Sequence, residues 1–156
     1  MTDTHRSALR YTADITAEDI DGLARFIARR IVLLREAAGT SGSEEDRVGE
    51  ALSQTVAALT GSAREVLGAL AERAAEAGAA SAAQPGAQAA PEEGEDAGRV
   101  VEELMVRLSR LWRYLLTAAG AWSHLPDYDV ARWRLDGHLD AEHEARDRWL
   151  ATGGAW

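Results

Sequence analysis

The residues best suited to catalysis or metal binding lie in the last quarter of the 156-residue chain. Asp136, Asp140 and His143 fall at i, i+4 and i+7, so a helix would carry all three on one face. Clustered carboxylate and imidazole donors can ligate a transition metal, and a small metal-dependent enzyme built on a helical bundle is one reading they allow. Di-iron bundles need a Glu-x-x-His pair on each of two helices and a Glu on each of two more. Asp140 and His143 supply a single aspartate version of that pair, and no second histidine falls inside another predicted helix. His138 and Glu142 are spaced as an ordinary i, i+4 pair. The simpler reading is a solvated face laced with pairs such as Glu142–Arg146. The expectation is no metal, no cofactor and no catalysis.

Two weaker constellations precede this one. Asp127 and Asp129 flank Tyr128 after Pro126 and beside His124. Paired carboxylates near a histidine can serve acid–base catalysis, but Asp and Pro are also ordinary turn and helix-cap residues. The run Gly39-Thr40-Ser41-Gly42-Ser43 resembles an anion cradle at a helix start. It lacks the lysine and the preceding strand of a P-loop, and Glu44, Glu45 and Asp46 would repel phosphate. A turn between helices is the better reading.

All five tryptophans, at positions 112, 122, 133, 149 and 156, lie in the last third, and arginines accompany them: Arg110-Leu111-Trp112-Arg113-Tyr114, Arg132-Trp133-Arg134 and Arg148-Trp149. Arginine, tryptophan and tyrosine are the types enriched at protein-binding hot spots. Trp112, Trp122 and Trp149 suit a core between helices. Trp133 lies off the main apolar stripe between two arginines, and Tyr114 lies off the seam of its helix. The expected contact patch is therefore Arg110, Arg113, Tyr114, Trp133 and Arg134.

Composition narrows the classes further. There are no cysteines, which excludes disulfides, thiolate sites and cysteine nucleophiles. The basic residues are all arginine, which excludes lysine chemistry and suggests a GC-rich bacterial genome. A net charge of −9 argues against nucleic acid as a partner. Residues 99–126 depart from this, with two acids and four arginines. No stretch approaches the roughly 20 apolar residues that span a bilayer, and the polar start lacks a signal-peptide pattern. The expectation is a cytoplasmic protein whose partner is another protein or a second copy of itself.

The scaffold that carries these residues reads as helical throughout. Thr16 with Asp19 three residues on has the spacing of a capping box, and Ile20, Leu23, Ile27, Ile31, Leu34 and Ala38 come next at intervals of three and four. Ser43 or Glu44 opens a second helix with the stripe Leu52, Val56, Leu59, Ala63, Val66 and Leu70. Gly49, Gly61 and Gly68 lie within it, so a kink near Gly61 or a break is compatible with the pattern. A third helix, near 97–122, carries Val101, Leu104, Leu108, Leu111, Leu115 and Ala118. A fourth, near 128–151, carries the thinner row Ala131, Leu135, Leu139, Ala145, Trp149 and Leu150.

The predicted organisation is a flexible arm over 1–14, a helical hairpin over 15–78, an acidic low-complexity linker over 79–98 and a second hairpin over 99–152. Together 15–152 would make one domain, an antiparallel all-α four-helix bundle whose stripes could equally close a homodimer. The function expected is that of a non-enzymatic adaptor, regulator or assembly component. The alternative among binding proteins is an acidic inhibitor or immunity-type protein that covers a basic partner.

Overall fold

The computed structural model describes residue 9 and residues 11–38, 42–83 and 91–133. Three helices pack together: α1 (Ala17–Ala38), α2 (Glu44–Ala83) and α3 (Pro91–Ala119). Short 3-10 turns, Thr12–Asp14 and Gly120–Trp122, precede α1 and follow α3. Among the described residues there is no strand, so the chain is all-α there.

The first two helices start where side chains satisfy the free backbone groups. At α1 the box is reciprocal: the Asp19 N–H donates to Thr16 Oγ1 (3.2 Å), and the Thr16 N–H donates to Asp19 Oδ2 (2.9 Å). At α2, Gly42 takes a φ of +90°, Ser43 Oγ accepts the Asp46 N–H (3.1 Å), and Asp46 Oδ2 accepts the Gly42 N–H (3.1 Å). Such caps contribute about 1 kcal/mol each.

α2 runs antiparallel to α1, as the Arg64–Asp21 and Arg35–Asp46 pairs at its two levels require. Gly49 explains one of these pairs. A Cβ there would lie 2.8 Å from Arg35 Cγ and 2.9 Å from its Cδ. The missing side chain lets Arg35 cross α2 and reach Asp46 (2.7 Å) and Glu50 (3.2 Å). Gly61 and Gly68 face open space, and α2 passes through both unbroken.

The core follows the predicted stripes. Ile20, Leu23, Ile27 and Ile31 of α1 meet Val56, Ala63, Val66 and Leu70 of α2 and Val101, Leu108, Trp112 and Leu115 of α3. Phe26, which the spacing did not single out, is also fully buried. Leu34 departs from its stripe and is 55% exposed. The reason is length. At 1.5 Å per residue, α2 spans about 60 Å and α1 about 33 Å. Leu67 and Leu70 of α2 pair with Met105 and Leu108 of α3 around one small cavity. From that level, the remaining length of α3 brings its end to the middle of α1. The far ends of α1 and α2 project beyond it, and Val48 at the start of α2 is 61% exposed.

Three sequence expectations need correction. Residues 9 and 11–14 are not a free arm: Leu9, Thr12 and Ile15 are buried, because two apolar side chains anchor a turn that satisfies its own backbone. The helices also reach into the low-complexity stretch, α2 to Ala83 and α3 back to Pro91. Alanine is the best helix former, and Pro91 followed by Glu92 and Glu93 is a favourable first turn. Finally, residues 123–133 form successive turns, where a fourth helix was expected from Tyr128. The rest of that segment, and residues 84–90, lie outside the described residues.

The glycines give a direct test. Gly68→Ala should raise stability by about 1 kcal/mol in urea denaturation, since its site is open and helical. Gly49→Ala should lower stability and release Arg35. Equal effects at the two sites would contradict the close approach at Gly49.

Candidate protein-binding surface

The chain after α3 is held against the start of α1 by one buried ion pair. Arg132 inserts its guanidinium against Asp19, whose side chain is inaccessible to solvent. Nε donates to Asp19 Oδ1 (2.8 Å) and Nη2 donates to Oδ2, a two-pronged contact across 113 positions of sequence. Nη2 also donates to the Asp14 carbonyl (3.2 Å). Burial alone would raise the Asp19 carboxyl. Hydrogen bonds from Arg132 and Thr16 overcome that cost and hold it below the usual carboxylate range.

Beside this pair Phe26, Tyr128 and Trp133 form an aromatic cluster with centroid separations of 5.3–5.6 Å. The Tyr128 hydroxyl donates to the Trp133 carbonyl (2.5 Å), and burial makes it a weaker acid than an ordinary phenol. Arg30 lies over the Phe26 ring at 5.0 Å and pairs with Asp127.

These contacts decide several sequence expectations. Trp133 is buried, so its place in an exposed patch is withdrawn: ring packing on Phe26 and Tyr128 outweighs the polarity of its neighbours. The carboxylates at 127 and 129 are engaged structurally. Asp127 binds Arg30, and Asp129 Oδ1 accepts the N–H groups of Ala131 (3.1 Å) and Arg132 (3.0 Å). His124 is exposed. The Gly42 N–H that an anion would need is taken by Asp46. Among the described residues no group of three or more His, Asp or Glu side chains is placed to hold a metal ion. Arg134, Asp136, Asp140 and His143 lie outside the described residues.

A groove of about 620 Å³ runs between α1 and α2. Its floor is Ala24, Ala28, Ile31, Val56 and Ala57, with the Asp21–Arg64 pair at its edge. The hydroxyls of Ser53 and Thr60 donate to the carbonyls of Gly49 and Val56. Among the described residues, no free nucleophile and base face each other there.

The remaining expected patch lies on α3. Arg110, Arg113 and Tyr114 are exposed, Tyr114 by 59%. Arg107 extends the same row, since 107, 110 and 114 follow helical spacing. Among the described residues Arg107, Arg110 and Arg113 make no ion pair. By contrast, Arg30, Arg35, Arg64, Arg73, Arg99 and Arg132 each hold an acid. Sequence reasoning singled out Arg110, Arg113 and Tyr114 from their residue types. It missed the Asp19–Arg132 pair, whose only signals were a capping aspartate and an arginine that looked exposed.

Among the described residues no helix is long and apolar enough to cross a membrane. No protein-family model matches the chain, and no curated protein or solved structure is significantly similar to it.

Removing one member of a buried pair costs about 3–5 kcal/mol. Arg132→Met should fall in that range by urea denaturation, and Asp19→Asn with Arg132→Met should cost less than the sum of the singles. Strict additivity would show the pair to be uncoupled. The folded-state carboxyl of Asp19 lies below its unfolded value, so its contribution is present above about pH 4 and is lost as pH falls through the folded value. Stability of Asp19→Asn should depend less on pH in that acid window.

Proposed function

We propose that this chain is a non-enzymatic, protein-binding helical bundle of the adaptor or regulator type, and that the outer face of α3 is its contact surface. One observation carries the reading. In a protein with net charge −9, Arg107, Arg110 and Arg113 form one exposed row on α3 that holds no acid among the described residues, while Arg30, Arg35, Arg64 and Arg132, at the joints between elements, are drawn into ion pairs. Such a row, with Tyr114 set in it, matches the chemistry of an acidic protein surface that offers carboxylates to guanidinium and a pocket to a phenol ring.

The finer architecture belongs to the same reading. The antiparallel four-helix bundle expected from the sequence belongs to this reading, and the cysteine-free composition suits the cytoplasm. The acidic-inhibitor alternative draws less support. Asp46, part of its expected negative surface, is already engaged by Gly42 and Arg35, and both hold its carboxyl below the usual range.

The test is affinity capture from the native host. The full-length protein should recover a partner that Arg110→Glu/Arg113→Glu/Tyr114→Ala does not, with helicity unchanged by circular dichroism. Loss of Tyr114 alone should weaken the isolated complex about 30-fold, as for a hot-spot residue worth about 2 kcal/mol. Equal recovery by both baits removes this face from consideration.

A further inference from the structure

The outer side of α1 is charged except at one place. Arg25, Arg29, Val32 and Glu36 follow one another at intervals of four, three and four, and all are exposed. Leu33 flanks Val32 on that side, away from the buried Ile27 and Ile31. Val32 and Leu33 are each 52% exposed and together make a small apolar patch.

The charges beside the patch indicate its cover. Arg29 lies one turn before it and Glu36 one turn after, and neither makes an ion pair among the described residues. The α1 arginines that do reach acids on other elements are Arg30 and Arg35. A partner within the helix is also lacking. The positions three and four away from Arg29 hold Arg25, Phe26, Val32 and Leu33, and those from Glu36 hold Val32, Leu33, Gly39 and Thr40. Glu36 stands in the last turn of α1, where the helix dipole disfavours an acid and a nearby guanidinium relieves that cost.

The two charges are placed symmetrically: Arg29 is three residues before Val32, and Glu36 is three after Leu33. Two antiparallel copies of α1, with a two-fold axis between positions 32 and 33, would set Val32 of one against Leu33 of the other. The same axis sets Arg29 of each copy against Glu36 of the other. The face is therefore complementary to itself in charge as well as in apolarity.

We propose that this face is an interface between two copies of the chain, paired antiparallel through residues 29–36 of α1. Four apolar side chains fill its centre, and two Arg29–Glu36 contacts close its ends and fix the register. Two helical turns from each copy bury less than about 1,200 Å², so the dimer is weak and reversible. The arginine row of α3 takes no part, and this proposal stands apart from the reading given to that row.

Charge reversal tests the pairing. Arg29→Glu or Glu36→Arg alone sets like charges against each other at both ends of the interface. An equimolar mixture of the two variants sets opposite charges together at both ends. Sedimentation equilibrium of the full chain, from micromolar to millimolar concentration, should show a reversible dimer. Each single variant should weaken it at least about tenfold with helicity unchanged by circular dichroism. The mixture should recover the affinity of the unaltered chain as a heterodimer. A chain that stays monomeric throughout leaves the patch bare or covered by a different protein, and overturns the proposal. So does a dimer indifferent to both reversals, which would use another face, and so does a mixture that associates no better than either variant alone.

Discussion

The Asp19–Arg132 contact is the joint on which the described structure turns. Asp19 already has a local task, closing the capping box of α1 with Thr16. Its two oxygens still have lone pairs to fill, and at the bundle surface water would fill them. Leu9, the 3-10 turn Thr12–Asp14 and the returning chain exclude that water. A buried carboxylate without a counter-charge would be costly, and Arg132 meets it with two parallel donors. The N-terminal turn, α1 and the segment after α3 are joined at one point, because Arg132 also donates to the Asp14 carbonyl.

Much else depends on that joint. Holding Arg132 against α1 directs Trp133 and Tyr128 onto Phe26, and Asp127 onto Arg30. The chain after Ala119 therefore folds across α1 and does not prolong α3 along α2. The long α2 is left with two working halves, one paired mainly with α1 and the other with α3. The exposed leucines near the end of α1 are the consequence of three helices of unequal length sharing one core.

The distribution of charge is equally a matter of geometry. An acidic protein could pair every arginine, and this one pairs those at the joints between elements: Arg30, Arg35, Arg64 and Arg132. Arg107, Arg110 and Arg113 point away from the core because Val101, Leu108, Leu115 and Trp112 take the inward positions of the same helix. Their exposure is thus the reverse side of good core packing. Under the proposed function, this is the face offered to another molecule.

Residue order alone was enough to place three helices, their inward faces and two of their starts, since spacings of three and four, capping pairs and glycine turns act over one or two helical turns. It also marked Arg110, Arg113 and Tyr114, whose exposure comes from their place opposite a strong apolar seam. Packing between distant segments settled the rest. Trp133 and Arg132 read as exposed because their neighbours in sequence are polar, yet their neighbours in space are Phe26, Tyr128 and Asp19. Leu34 read as buried because its spacing is right, but the helix that would cover it ends too soon. Local pattern reports which side of an element is apolar. Whether anything reaches that side depends on the lengths and crossings of elements far away in the chain, and no periodicity carries that information.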